Sequence, residues 1–237
     1  MQNKKISIVI PVYNEGPILK KEINNLFQEI SHKLPSEYNN LELILVENGS
    51  TDNTLEIAKK LASQFAQIKI AVLDNPSYGK AIKYGVSIAS TKYIAICNID
   101  FWDINFLKQG VDLITKNSAD IVVASKTLKD SRDKRNFIRR LITKGFNLFL
   151  KLCFHYQGTD THGLKVFDRK KLIPIIDECI TEEEVFDTEF IIRAQYKGLK
   201  IKELPITVVE KRKSTYGILK RICPTIKDLF IIKKSLK

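Results

Sequence analysis

The chain has 237 residues, 44% of them hydrophobic, and a formal net charge of +12, so it can bury a full core as one large domain or one domain with an appendage. Cys97, Cys153, Cys179 and Cys223 stand in apolar or helical contexts without a CxxC pair, which argues against a zinc site or disulfide framework and for a reducing compartment. The first apolar run breaks at Pro11, too short for a signal peptide, and no run approaches the roughly 18 residues of a spanning helix, so a cytoplasmic chain is expected.

In chain order, the apolar runs ISIVIP (6–11), LELILVE (41–47), IKIAVL (68–73), YIAICN (93–98) and DIVVAS (120–125) alternate with segments of helical periodicity. Such runs, without strict alternation, predict strands buried on both faces of a mainly parallel α/β sheet. Ile18, Ile23, Leu26, Phe27 and Ile30 predict one flanking amphipathic helix, and Leu55, Ala58, Leu61, Ala62 and Phe65 another, capped by Asp52 or Ser50. Ligands of open α/β sheets lie beyond the carboxyl ends of the strands, so the residues directly after each run are the ones to read.

Three of those ends carry chemistry: PVYNEG after the first run, VENGSTDNT after the second and NIDFWD after the fourth. Tyr13 offers a ring face to a base, Asn14 and Glu15 offer polar groups to a base or ribose, and Glu47 and Asn48 can bond the same nucleoside. Asp100 falls where a diphosphate would lie. Taken singly, PVYNEG reads as a strand-to-helix turn and NGSTD as a cap; together they favour a nucleotide site. In SYGKAIKYGVSIAS, Gly79 and Lys80 could bring backbone amides and an ammonium to a phosphate, or Gly79 and Gly85 could let a helix pack closely on the sheet. Both readings stay open, and the GxxxxGK[ST] spacing of a P-loop is absent.

Charge is concentrated late in the chain, with +7 over residues 125–151, +9 over residues 197–237 and −4 over the remainder. Most of these residues read as solvated helix faces. They lack the interleaved stacking aromatics of a nucleic-acid binder, so no nucleic-acid partner is expected. Near the carboxyl end Leu219, Ile222, Ile226, Leu229 and Phe230 recur at helical spacing beside Lys220, Arg221, Lys227, Lys233 and Lys234. That pattern suits an anionic membrane surface and equally suits packing on the domain, with Pro224 expected to break or kink the element.

In order and spacing, PVYNEG, VENGSTDNT, YGKAIKYGVSIAS and NIDFWD resemble glycosyltransferase family 2, whose members share the nucleotide-sugar-binding GT-A fold. GTDTHGLKVFDR (158–169) and FDTEFIIRAQYKGLKIKELPI (186–206) are similar to the polyprenyl-phosphate sugar transferases of that family, typified by dolichyl-phosphate mannose synthase. The resemblance implies a GT-A domain over residues 1–215 followed by a basic amphipathic segment over 216–237. It implies a donor site at Pro11, Val12, Tyr13, Asn14, Glu15, Val46, Glu47, Asn48, Lys80, Asn98, Ile99 and Lys126. Mg2+ or Mn2+ would be held by Asp100 and Asn98, with Asp103 either the nearest further ligand or simply the cap of the helix that follows. Arg135, Arg139, Asp160, His162, Glu189, Arg212 and Lys213 would meet the acceptor or its phosphate, and Asp100 and Asp187 would be catalytic. Asp187 is otherwise readable as a helix cap, and His162 as an ordinary core-edge histidine.

Two departures thin the implied charge: Glu47-Asn48 replaces the family's usual Asp-Asp, and Asn98-Ile99-Asp100 its usual Asp-x-Asp. Trp102, which cannot ligate, stands where the polyprenyl-phosphate transferases carry a metal-facing Gln. The expected activity is inverting, metal-dependent transfer of a hexose from a GDP- or UDP-sugar to a polyprenyl phosphate, by a protein peripheral at the inner face of the membrane. The alternatives are a transferase extending a cell-surface glycan and a weak or inactive sugar-nucleotide-binding protein.

Overall fold

The computed structural model describes residues 5–34, 41–183, 185–208 and 218–236, with side chains over 218–223 excepted. The chain runs β1 (Ile6–Val12), α1 (Gly16–Lys33), β2 (Leu41–Asn48), α2 (Thr54–Gln64), β3 (Ile68–Leu73), α3 (Tyr78–Ile88), β4 (Tyr93–Ile96), α4 (Ile104–Thr115) and β5 (Ile121–Ser125). It continues through β6 (Arg132–Asp133), α5 (Phe137–Phe154), β7 (Lys165–Asp168), α6 (Arg169–Glu178), α7 (Phe186–Tyr196), β8 (Ile201–Pro205), β9 (Thr207–Val208) and α8 (Ile218–Ser235). The main sheet has the order β3-β2-β1-β4-β7-β5-β8. Every pairing in it is parallel except those of β7, which lies antiparallel between β4 and β5.

Period-two alternation divides the strands between two cores. Ile8, Ile10, Leu43, Leu45 and Ala95 face a layer of α1, α2 and α4, where Leu19, Ile23, Leu26, Leu61, Leu107 and Val111 pack. Val9, Ile44, Val46, Ile94 and Ile96 face the opposite layer of α3, α6 and α7, and Leu229 and Ile232 of α8 join that layer. Burial on both faces explains why these runs lack an exposed polar set. The carboxyl-terminal segment contributes core residues, and α8 runs on across Pro224, which was expected to break or kink it.

Gly85 settles one of the two readings of its stretch. A Cβ there would stand 2.4 Å from Val9 Cγ1 and 2.9 Å from Val46 Cγ2, so its lack of a side chain lets α3 rest directly on β1 and β2. Gly79 serves a different approach: its N–H donates to Glu182 O at 2.6 Å, and a Cβ would meet the Glu182 backbone at 2.8 Å. The amino end of α3 is therefore pinned to the segment before α7.

Candidate active site

β1 pairs in parallel with β2 on one side and β4 on the other, so their carboxyl ends emerge side by side. The loops that follow are stitched together. Asn14, in the left-handed region at φ 53, accepts from Thr51 N at 2.8 Å and its own N–H donates to Ser50 Oγ at 3.0 Å. Glu15 N donates to Thr54 Oγ1 at 2.8 Å and Gly16 N to Asp52 Oδ2 at 3.1 Å. Buried Glu47 accepts from Ser50 N at 2.6 Å, and buried Asn48 accepts from Ser77 N at 2.8 Å. Asn14, Glu47 and Asn48 thus build the rim, whereas Tyr13 presents an open ring, 40% exposed. Pro11 is half-buried, and Val12 and Val46 belong to the cores.

After β4, Asn98 and Phe101 bond each other through N–H and C=O in both directions, at 3.2 and 3.0 Å. This tight turn leaves Asn98 exposed and Asp100 half-buried while Ile99 points into the core. Asp103 follows its capping reading: it caps α4, its Oδ1 accepting from Phe106 N at 3.0 Å. Among the described residues no three or more His, Cys, Asp or Glu side chains gather into a metal site. One carboxylate and one amide oxygen fit a divalent ion only where phosphate oxygens complete its shell.

Beside this rim opens a cleft of about 750 Å3 whose walls include Tyr78, Asn98, Lys126, Arg135, Arg139, Asp160, His162 and Asp187. Tyr13, Asn48 and Asp100 do not line it; Asn98 and Tyr78, neighbours of Asp100 and of Asn48's partner Ser77, connect rim and cleft. Lys126 Nζ lies 2.8 Å from the buried Asp160 carboxylate and donates to His162 O at 3.2 Å. Arg135 grips Asp133 through two bonds of 2.9 and 2.7 Å. At the floor, Tyr78 donates to Asp187 Oδ2 at 3.2 Å, while Lys165 Nζ lies 2.9 Å from Asp187 Oδ1. That last contact lacks hydrogen-bond alignment, so Oδ1 has a cation beside it and no protein donor directed at it. Burial, then the charge of Asp187, pushes the Tyr78 hydroxyl well above its ordinary range and keeps it a donor.

The sequence model of Glycosyl transferase family 2 matches residues 7–174, most of the chain and all of this rim. The chain belongs to glycosyl transferase family 2. It is 26% identical over 222 residues to a dolichyl-phosphate beta-glucosyltransferase of Dictyostelium discoideum, a match covering 89% of this chain and 68% of that protein. It superposes on Staphylococcus aureus TarS 1-349 with a TM-score of 0.60 at 18% identity, covering 84% of this chain and 58% of that structure. With glucosyl-3-phosphoglycerate synthase of Mycobacterium tuberculosis, in complex with Mn2+, UDP and glucosyl-3-phosphoglycerate, the TM-score is 0.60 at 16% identity, over 98% of this chain and 80% of that one. At such identities the structural likeness establishes the GT-A fold of this family 2 glycosyltransferase.

Several residues expected in the family 2 site stand elsewhere. Glu189 is wholly buried and saturated by Ile180 N, Thr181 N, Thr181 Oγ1 and Arg193 Nε, so it braces the segment before α7 and does not line the cleft. Lys80 forms a solvent-exposed pair with Glu182 at 3.0 Å and does not line the cleft. Arg212 and Lys213 lie outside the described residues. Asp187 is not a cap: Val185 occupies that position and Asp187 stands in the first turn of α7. Lys165 and Tyr78 were not expected in the site, though a lone Lys inside the apolar stretch LKVF is a signal for the first.

His162 packs edge-on against Phe146, with ring centroids 5.6 Å apart, and its Nδ1 lies 3.1 Å from Thr161 Oγ1. Burial is the largest influence on it and holds it below its ordinary value of 6.5, against the opposing pull of Asp187 and Asp160. Below about pH 6.5 the unfolded chain takes up a proton that the folded ring resists, so this stability is present above that pH and is lost as pH falls through the folded value. His162→Asn is therefore expected to flatten the fall of Tm between about pH 6.5 and 5, measured by thermal unfolding across that window. A fall as steep as that of the parent would remove His162 as its source.

Proposed function

We propose that this glycosyltransferase moves a hexose from a nucleotide-diphosphate sugar to a polyprenyl phosphate, with inversion, while peripheral at the cytoplasmic face of a membrane. The observation that carries this reading is the composition of one cleft. Lys126, Arg135 and Arg139 suit a phosphate, Asp160 and Asp187 suit sugar hydroxyls, and Ile142, Phe146, Phe149, Ile226 and Leu229 form an apolar wall suited to an isoprenoid chain. The name of the Dictyostelium relative supports the same acceptor class. A phosphate acceptor is already an anion near neutral pH, so it needs orientation rather than a strong base. Among the described residues no helix is long and apolar enough to cross a membrane, which fits peripheral attachment.

The donor reading rests on the rim, where Tyr13 offers its ring to the base and the turn of Asn98 and Asp100 adjoins the cleft. A divalent ion held there by Asp100 and Asn98 together with donor phosphates would neutralise charge that grows on the leaving nucleoside diphosphate. This chain's own residues bind and orient both substrates. The test is a thermal-shift panel of GDP- and UDP-sugars with and without Mn2+, because a ligand that binds only the folded state raises Tm by mass action. The expected result is a metal-dependent shift that Asp100→Ala removes. An Asp100→Ala protein with the full shift would displace the proposed site, and radiolabel that stays in water after transfer would replace the lipid acceptor by a glycan.

A further inference from the structure

Tyr78 is the first residue of α3 and lines the cleft, where its hydroxyl donates to Asp187 Oδ2 at 3.2 Å. Its two chain neighbours are bonded to one and the same carbonyl. Ser77 Oγ donates to Glu182 O at 2.8 Å, and Gly79 N donates to that oxygen at 2.6 Å. Glu182 stands in the segment that leads into α7, so the helix starts that carry Tyr78 and Asp187 are held together on both sides of the tyrosine. The same segment is braced from α7, because the Glu189 carboxylate accepts from Ile180 N and Thr181 N. Ser77 N in turn donates to Asn48 Oδ1 at 2.8 Å, which ties the start of α3 to the donor rim. Lys165 Nζ lies 2.9 Å from Asp187 Oδ1, so a hydroxyl at one oxygen and an ammonium at the other leave the buried carboxylate little freedom to turn.

We infer that Tyr78 is a positioning residue: it fixes the direction in which Asp187 meets the sugar, from a helix start that is also hydrogen-bonded to the donor rim. A group that contacts substrate works only when its rotamer is locked by the residues behind it, and a displacement of about 1 Å can cost about 100-fold in rate. A phenol that only satisfied a buried carboxylate would need no tether of its own, whereas this one sits between two residues bonded to the segment that leads to its partner. Burial and the charge of Asp187 keep the hydroxyl protonated, so it remains a donor at neutral pH. The inference deepens the reading of Asp187 as a sugar-binding carboxylate and rests on it.

The test is a double-mutant cycle in kcat over the parent, Tyr78→Phe, Asp187→Asn and Tyr78→Phe/Asp187→Asn, run below the Tm of every variant. The donor is UDP-glucose or GDP-mannose with Mn2+, whichever raises the Tm of the parent more. Two reactions are read: transfer to farnesyl phosphate, and release of the nucleoside diphosphate to water without an acceptor. Tyr78→Phe is expected to lower kcat of both reactions about tenfold, with the donor KM within about twofold of the parent. On the Asp187→Asn background the same change is expected to cost less than about twofold, because the hydroxyl then has no charged oxygen to direct. Ser77→Ala removes one tether and leaves the phenol; it is expected to cost about threefold in the parent and nothing measurable on the Asp187→Asn background, and it carries the test if Tyr78→Phe does not fold. If farnesyl phosphate receives no sugar while release to water shows this non-additivity, the role of Tyr78 stands and the acceptor assignment fails. A Tyr78→Phe enzyme as fast as the parent, a loss confined to KM, or an equal loss on the Asp187→Asn background would each overturn the inference. An Asp187→Asn enzyme as fast as the parent would overturn it too, by removing the group on which Tyr78 acts.

Discussion

Asp187→Asn is expected to lower kcat/KM by about 100-fold, equivalent to ~2.7 kcal/mol of transition-state stabilisation. The size follows from the surroundings of the carboxylate. Asp187 lines the cleft, accepts from Tyr78 through Oδ2, and keeps Oδ1 without a protein donor directed at it. A carboxylate on the cleft wall can accept from a sugar hydroxyl, and a hydrogen bond to a charged group contributes about 1.5–3 kcal/mol. The amide keeps the shape and loses the charge. If the acceptor is a phosphate, no proton leaves it in the transfer step, so the loss is expected to be the same from about pH 6 to 9. A hydroxyl acceptor predicts otherwise: Asp187 would then be its base, and the deficit would change with pH. Full activity in the Asn variant would remove Asp187 from the site.

Legibility from sequence followed locality. Burial on both faces wrote β1 and β2 into runs whose ends match the observed strands within a residue, and the edge strand β3 matches its run as closely although only Ile68 and Ala71 of it are buried. The rim was legible because Asn48 ends, and Tyr13 and Asp100 lie just beyond, parallel strands that are neighbours in the sheet. Asp103 shows the limit of reading by residue type: a carboxylate near a metal turn and a carboxylate capping a helix look alike until Phe106 N is seen to occupy it. Glu189 misled in the same way, although Arg193 four residues on was a cue to a buried pair. β7 was hidden for a different reason. It is four residues long, and its antiparallel insertion between β4 and β5 depends on pairings with residues more than 40 positions away.

The insertion of β7 brings a wholly buried Lys165 beneath the cleft, which leads to the largest expected effect on stability. Its ammonium has two oxygens near it, Asp187 Oδ1 at 2.9 Å and Gly163 O at 3.0 Å. Removing one member of a buried pair leaves the other charge desolvated, at a cost of about 3–5 kcal/mol. For a domain of this size each kcal/mol moves Tm by roughly 2–4 °C, so Lys165→Met is expected to lower Tm by about 6–20 °C. The double variant Lys165→Met/Asp187→Asn separates stability from chemistry. With neither charge present the desolvation cost disappears, and much of the lost Tm is expected to return, giving a coupling term in the thermodynamic cycle. Activity is not expected to return with it, because the cleft wall has lost the Asp187 charge. A Lys165→Met protein that melts with the parent would show that the pair adds nothing to the fold. A double variant no more stable than Lys165→Met would trace the loss to the missing lysine stem rather than to an unpaired carboxylate.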